Sequence, residues 1–390
     1  MDSIAIVGGG IGGLASAILL ARAGREVTVY EQAKVSGPVG AGFLLQPPGQ
    51  LVLEKLGILD EISKQAVPIL GLQSQTAKGR KILDLSYRDL KGAPRQGLGI
   101  QRSTIYEALL REAVNSDGVT IVWGAKVASI DAKNSTVSIV VNSSEIKTHT
   151  LCILASGANS NLASECFPDR IGRPYDWGCL WTTFTLPQGL SPNMLHQRCE
   201  GAKKMMGILP VRRTGEAFEA ALYWSINGEA IEGMNEQNFE KIKDDILGFW
   251  PEASSSVEPL TFTDFIPARY RDVWTPKPYS SRLVAIGDVS HGTSPQLGQG
   301  CTMALLDAYY LVKCLNEKNL SLENALESWW RTRRYQLAYV RQLSRILTPL
   351  FQSESRSASF FRDWVVAPVG RMPIFNKLQL KTLASEVFLN

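Results

Sequence analysis

Histidine and cysteine are scarce in this chain and poorly spaced for metal binding. There are three histidines in 390 residues, and six cysteines (Cys152, Cys166, Cys179, Cys199, Cys301 and Cys314) lie thirteen or more positions apart with no C-x-x-C pair. A structural zinc site and a disulfide framework are therefore not expected, and free thiols in a reducing cytoplasm are the simplest account. No stretch approaches the roughly 18 uninterrupted apolar residues needed to cross a bilayer. The apolar start does not read as an export signal either: Asp2 stands where a basic region belongs, and Gly8, Gly9, Gly10, Gly12 and Gly13 interrupt the run. Excess charge is small, +4 overall, which argues against nucleic acid as a partner. Paired carboxylates, Ser-His-Asp order and Cys-His order are also missing, so hydrolysis has no support.

What remains is the profile of a loop-rich globular enzyme: 45% apolar, 20% charged, with 33 glycines and 19 prolines. The length exceeds the roughly 150 residues of one ordinary domain, so two domains are expected. Charge is uneven along the chain. Residues 331–390 hold ten Lys or Arg against three acidic residues, so this segment carries +7 and the preceding part −3.

Ile4 to Val7 is a short β-branched run that ends in Gly8-Gly9-Gly10-Ile11-Gly12-Gly13, followed by helical apolar spacing over Leu14 to Ala23 with Gly24 as the stop. Val27 to Tyr30 forms a second strand, and Glu31 lies 23 positions after Gly8. This is the strand, turn, helix, strand and acid of a dinucleotide-binding unit. Gly8 permits the turn, Gly10 lets backbone approach a pyrophosphate, and Gly13 lets helix and strand pack closely. Ile11 and Gly12 open the helix, whose first amides and dipole favour an anion. Glu31 would accept hydrogen bonds from an adenosine ribose and repel a 2′-phosphate, which disfavours NADP here. The motif by itself leaves FAD and NAD open.

A second motif decides between them. After the apolar strand Arg282 to Ile286 comes Gly287-Asp288-Val289-Ser290-His291, then Pro295-Gln296-Leu297-Gly298-Gln299-Gly300, and Ala304 and Asp307-Ala308. This resembles the G-D-x-x-H-x-x-x-P-x-x-G-Q-G-x-x-x-A-x-x-D-A signature of the FAD-dependent aromatic hydroxylases, single-component flavoprotein monooxygenases similar to p-hydroxybenzoate hydroxylase. The resemblance implies that Asp288 binds the ribityl chain and that Pro295, Gly298, Gln299 and Gly300 run beside the isoalloxazine. It implies a structural role for His291. Gly40-Ala41-Gly42 with Leu45 and Pro47 resembles a family loop near the flavin. Gln101-Arg102-Ser103 matches the family arginine of the ribityl and phosphate region, and Val127 matches a position whose backbone faces adenine. One departure stands out: Ala155-Ser156-Gly157-Ala158-Asn159-Ser160 resembles the family's A-D-G-A-N-S, with Ser156 in place of the aspartate and Ala163 where an arginine is usual.

The expected fold class is α/β, a Rossmann-like FAD-binding domain with an inserted, mainly antiparallel substrate domain and a C-terminal helical segment. The resemblance implies that residues 1–70, 98–165 and 275–320 form the first, 71–97 and 166–274 the second, and 321–390 the third. Leu72 to Thr76 and Arg80 to Leu85 read as a hairpin. Trp177 to Leu186, Lys204 to Pro210 and Ala217 to Ile226 read as strands, and Glu236 to Phe249 as a helix. Trp181, Met206, Ile208, Tyr223 and Trp224, with Pro295, are the candidate walls of a dry substrate pocket, although neighbours Tyr223 and Trp224 must point to opposite faces. Leu322 to Leu350 reads as one long helix with Trp329, Trp330, Tyr335, Leu337 and Val340 as its apolar stripe. The mixed apolar and basic segments beyond it would pack on their own domain, rest weakly on an anionic membrane or clasp a partner.

The resemblance implies a monooxygenase that hydroxylates or epoxidises an aromatic or polycyclic small molecule with O2, through a flavin C4a-hydroperoxide, FAD being reduced by NADPH or NADH. Ser156 keeps open an enzyme supplied with reduced flavin by a separate reductase, and a non-catalytic nucleotide-binding protein is the reading outside catalysis. No catalytic base, metal ligand or oligomeric state is legible.

Overall fold

A computed structural model describes residues 3–35, 37, 42–90, 96–133 and 135–388. Gly40 and Ala41 of the expected flavin loop fall outside them.

Five strands form a parallel sheet in the order Leu283–Ala285, Leu151–Leu154, Ser3–Val7, Glu26–Glu31 and Val119–Trp123. Leu151–Leu154 and Ile4 to Val7 of its neighbour read as unbroken apolar runs because both of their faces are covered. On one face lie α1 (Ile11–Arg22), α2 (Arg102–Val114), α3 (Gly300–Leu315) and α4 (Leu322–Phe351), whose apolar stripes build two adjoining cores. The other face is closed by a three-stranded antiparallel layer, Val127–Ala132, Val137–Val141 and Glu145–His149.

The second large sheet has seven strands in the order Ile266–Trp274, Ile171–Thr185, Ala217–Asn227, Lys204–Thr214, Met194–Glu200, Gly71–Thr76 and Lys81–Ser86. Its last two strands are the expected hairpin, with Leu72 opposite Leu85. They join the sheet through a parallel pairing of Gly71–Thr76 with Met194–Glu200, the one parallel step in it among the described residues. A small sheet of Phe43–Leu45, Gly97–Ile100 and Val67–Ile69 lies between the two large ones, and Leu44, Val67 and Ile69 pack on Leu209, Val211 and Ala221. The helix Glu236–Phe249, capped by Asn235, covers the opposite face of the seven-stranded sheet.

α4 buries Trp329, Leu337 and Val340 as the spacing predicts, but Tyr335 points to solvent, 59% exposed. That position falls one residue off the stripe, and its ring instead lies beside Arg334. A final helix, α5 (Pro373–Leu383), packs the side chains of Leu380 and Leu383 into the core beside Leu44 and Tyr87. Among the described residues no helix is long and apolar enough to cross a membrane.

Candidate active site

Val7, Leu154 and Ala285 are register partners across three adjacent parallel strands. The loops that follow them, at Gly8, Ala155 and Gly287, therefore leave the sheet at one level, in the crevice at the carboxyl edge where α/β folds take ligands. Each glycine of the first turn has a distinct environment. Gly8 holds φ +107°, and a Cβ there would stand 2.6 Å from the Ala155 carbonyl oxygen. On Gly13 a Cβ would stand 2.1 Å from the Gly8 carbonyl oxygen, so only glycine lets α1 enter so close to the strand. On Gly10 it would meet nothing within 4 Å. Gly10 is also the N-cap of α1 and supplies no side-chain cap, and no acidic residue lies in the first turn. The α1 N-terminus thus carries no capping side chain and leaves space beside Gly10, as an anion site requires.

Glu31 sits at the end of its strand with both oxygens oriented: Oε2 accepts from the Gly9 amide at 2.7 Å and Oε1 from the Ala33 amide at 2.8 Å. The carboxylate is locked beside the glycine turn with lone pairs left for ribose hydroxyls. Val127 lies 8% exposed in the core behind this turn, with Tyr30 and Val7. Gly42 is required by packing, because a Cβ would stand 2.4 Å from Val211 Cγ1 of the seven-stranded sheet.

The far end of the crevice centres on Cys301, the second residue of α3. Burial pushes its thiol up to about 12, with the Arg102 guanidinium pulling it down and the Asp288 carboxylate adding to the rise. Asp288 lies at the α3 N-terminus, beside Gly300. Arg102 opens α2, is exposed, and makes no hydrogen bond or ion pair among the described residues. Asp288 is exposed too, and a Cβ on Gly300 would stand 3.5 Å from its Oδ1. Pro295 is exposed, Gly298 takes the left-handed conformation at φ +61°, and Gln299 is buried with its Nε2 donating to the Thr382 carbonyl of α5. Gln299 Oε1 and Gln46 Nε2 are buried without a partner among the described residues. Donors, acceptors and an open glycine turn thus fit a long dinucleotide carrying a pyrophosphate, a polyol and a polar ring edge.

His291 faces away from the crevice. Its Nε2 donates to Asp307 Oδ2 at 2.5 Å, while Arg333 Nε donates to Oδ1 at 2.9 Å and the Gly287 amide to Oδ2 at 3.0 Å. Asp307 is fully buried. Burial opposes its charge, but His291, Arg333 and the amide together hold its carboxyl below the ordinary carboxylate range. The network fixes the turn that presents Asp288.

Ser156, in place of the family aspartate, donates to Ser160 Oγ at 2.7 Å, and Ser160 in turn caps the helix Asn161–Cys166. Ala163 is fully buried. Sequence reasoning missed Arg170, which ties this loop to the other one: it donates to the Ala158 carbonyl at 2.8 Å, the Val289 carbonyl at 3.0 Å and Ser164 Oγ at 3.0 Å. A single arginine in a loop has no periodicity to announce it.

The expected pocket residues separate by face. Trp181 and Gly207 are register partners of Tyr223, so Trp181 and Tyr223 share the face turned toward the small sheet. Met206, Ile208 and Trp224 lie on the other face, packed under the helix Glu236–Phe249 with Leu180 and Phe249. Those three are core residues, which corrects the expectation that they wall a pocket, and Pro295 remains at its open rim. Tyr270, unforeseen, joins Tyr223 and Cys179. Burial first, then the neighbouring Cys179, raises both phenols, and burial pushes the Cys179 thiol up to about 12 despite its hydrogen bond to Tyr270. Tyr223 and Tyr270 each keep some accessible surface on this face.

A parallel sheet whose carboxyl edge gathers such a cradle, with a second, mainly antiparallel sheet packed beside it, is the architecture of a dinucleotide-binding oxidoreductase. The FAD binding domain family matches residues 1–325. The 2-heptyl-3-hydroxy-4(1H)-quinolone synthase of Pseudomonas aeruginosa (strain UCBPP-PA14) is 24% identical over 370 residues, covering 93% of each chain. The 6-hydroxynicotinate 3-monooxygenase of Pseudomonas fluorescens is 24% identical over 380 residues, 94% of this chain and 96% of that one. A single-residue variant of Klebsiella pneumoniae HpxO complexed with FAD superposes with a TM-score of 0.83 at 17% identity, over 99% of both chains. The chain belongs to the FAD binding domain family, as an FAD-dependent monooxygenase of the aromatic-hydroxylase kind.

Proposed function

We propose that the chain inserts one oxygen atom of O2 into an electron-rich aromatic or polycyclic small molecule, the second leaving as water, with NADH or NADPH supplying the electron pair. The observation that carries this reading is the convergence, at one edge of the parallel sheet, of the open glycine turn with Glu31 beside it and the turn that brings Asp288 to the α3 N-terminus. FAD, bound and reduced, supplies the oxygen activation. The chain supplies the rest. α1 amides hold the pyrophosphate, Glu31 the adenosine ribose, and Arg102 and Asp288 the ribityl and phosphate region. Gly298, Gln299 and Gly300 present polar backbone and a buried amide side chain to the ring edge. Trp181, Tyr223 and Tyr270 face the substrate and keep its pocket dry, so that activated oxygen is not lost as hydrogen peroxide. The raised tyrosines stay protonated at neutral pH and act as hydrogen-bond donors, not as bases. Six unpaired cysteines agree with a reducing cytoplasm.

One observation favours a second reading. The loop at Ser156 presents no carboxylate, Ala163 is buried, and Arg170 is spent on Ala158, Ser164 and Val289. A nicotinamide then has little charge to engage there, and reduced flavin would come from a separate reductase. Anaerobic mixing of the purified protein with NADH or NADPH, with and without aromatic candidates, separates the two. Bleaching of the flavin absorbance is expected under the first reading. Its absence, with turnover restored by a flavin reductase, establishes the second, and no oxygen uptake coupled to product in either case overturns both.

A further inference from the structure

Large apolar side chains are exposed in one part of the molecule above all. Phe360, Phe361 and Trp364 are 63%, 49% and 55% exposed, and Ile374, Phe375 and Leu378 of α5 are 81%, 44% and 47% exposed. Both groups follow helical spacing, so each forms one stripe. Both also abut the same hairpin turn. The Arg80 guanidinium lies 3.6 Å over the Trp364 ring, and Arg371, just before α5, donates to the Lys81 carbonyl. Phe360 and Trp364 stack on each other at 6.0 Å. Around these rings stand exposed Lys78, Arg80, Lys81, Arg371 and Lys377, and residues 364–385 contain no acidic side chain. Lys81 is paired with Asp84, and the other four have no carboxylate partner among the described residues. An apolar surface of this size rimmed by basic groups is not what a solvated flank shows.

We propose that this flank rests on an anionic lipid bilayer, with the phenylalanines, Trp364 and Ile374 in the acyl boundary and the lysines and arginines at the headgroups. The complementarity selects the partner: apolar depth with a positive rim suits a negatively charged lipid surface. Attachment is lateral, since no described helix is long and apolar enough to span. α5 then runs from the bilayer to the candidate flavin loop. Its first half carries the exposed stripe, and its last turn accepts the Gln299 side chain through the Thr382 carbonyl while Tyr339 bonds Thr382 Oγ1 at 2.6 Å. A water-shy aromatic substrate dissolved in the membrane would meet the enzyme on the flank nearest that loop.

The test uses the full-length holoprotein and needs no substrate. Cosedimentation is measured with vesicles of phosphatidylglycerol and phosphatidylcholine and with phosphatidylcholine alone, at low and high salt. Binding is expected to the anionic vesicles, with Lys377→Glu weakening it about fivefold. The double variant Ile374→Asp/Phe375→Asp should weaken it by at least about tenfold while keeping its flavin absorbance. If the aspartates lower the flavin content, Ile374→Ser/Phe375→Ser takes their place. The proposal is overturned if the wild type ignores anionic vesicles at low salt, or if the apolar variants bind as well as the wild type. It is overturned equally if light scattering finds a dimer that the apolar variants dissociate while vesicles are never bound.

Discussion

Gly10 and Gly13 sit three positions apart in one turn and are glycines for opposite reasons, which makes them separable by experiment. Gly13→Ala puts a methyl 2.1 Å from a carbonyl oxygen. It should cost about 1–3 kcal/mol or more of stability, seen as a lower urea midpoint even without cofactor. Gly10→Ala meets no protein atom. The apoprotein should keep its midpoint while FAD affinity, measured by fluorescence quenching, falls about tenfold or more, as the proposed pyrophosphate site at this turn requires. Asp307→Asn is the third residue-scale case. It leaves Arg333 buried with one charge uncompensated and should cost about 3–5 kcal/mol at neutral pH. Because the native carboxyl is depressed, its contribution is complete above the unfolded value of about 4 and is lost as pH falls through the lower folded value. Urea midpoints of wild type and Asp307→Asn should therefore converge on acidification, and a gap that stays constant would remove the carboxylate from the account. These residues were legible because glycine, aspartate and histidine at fixed offsets carry a pattern. Parity was harder: Tyr223 and Trp224 visibly oppose each other, but which of them shares a face with Met206 depends on the Gly207 to Tyr223 register, which neighbouring residues do not encode.

Among the elements, the ones with a strong internal period were read almost to the residue. The helix Glu236–Phe249 has its bounds in its apolar spacing and Asn235 cap, and the hairpin has its turn in Ala77-Lys78-Gly79. In the seven-stranded sheet two strands were not foreseen. Ile266–Trp274 buries only Val273 fully and shows no alternation, so its identity comes from pairing with Ile171–Thr185. Met194–Glu200 is held between Lys204–Thr214, antiparallel, and the distant hairpin, parallel. Tertiary partners decide such segments. Arg170 acts at the same scale, by holding two loops of the crevice together. Arg170→Ala should cost about 1.5–3 kcal/mol and raise the FAD dissociation constant about tenfold or more, with the substrate pocket unaltered. If equilibrium dialysis finds unchanged affinity, the clasp does not shape the cradle.

Over the whole molecule the two large sheets are stitched together rather than strung in series. The seven-stranded sheet takes its hairpin from before the small sheet's Gly97–Ile100 and the rest from after the parallel sheet's Leu151–Leu154. α4 closes over both: Arg341 donates to Asp272 Oδ1 at 3.1 Å on one side, and Ser344 and Thr348 bond Ser294, in the loop between Asp288 and α3, on the other. Flavin release and loss of tryptophan emission should consequently share one thermal midpoint; two transitions several degrees apart would mean the units unfold independently. The interleaving also sets a timetable for biosynthesis. Asp288 is made 275 positions after Gly13, roughly 15–55 s later at about 5–20 residues per second. For that interval the nascent polypeptide displays half a pocket, so prosthetic-group loading is a late event, and cells starved of riboflavin would accumulate finished but colourless chains rather than stalled ones.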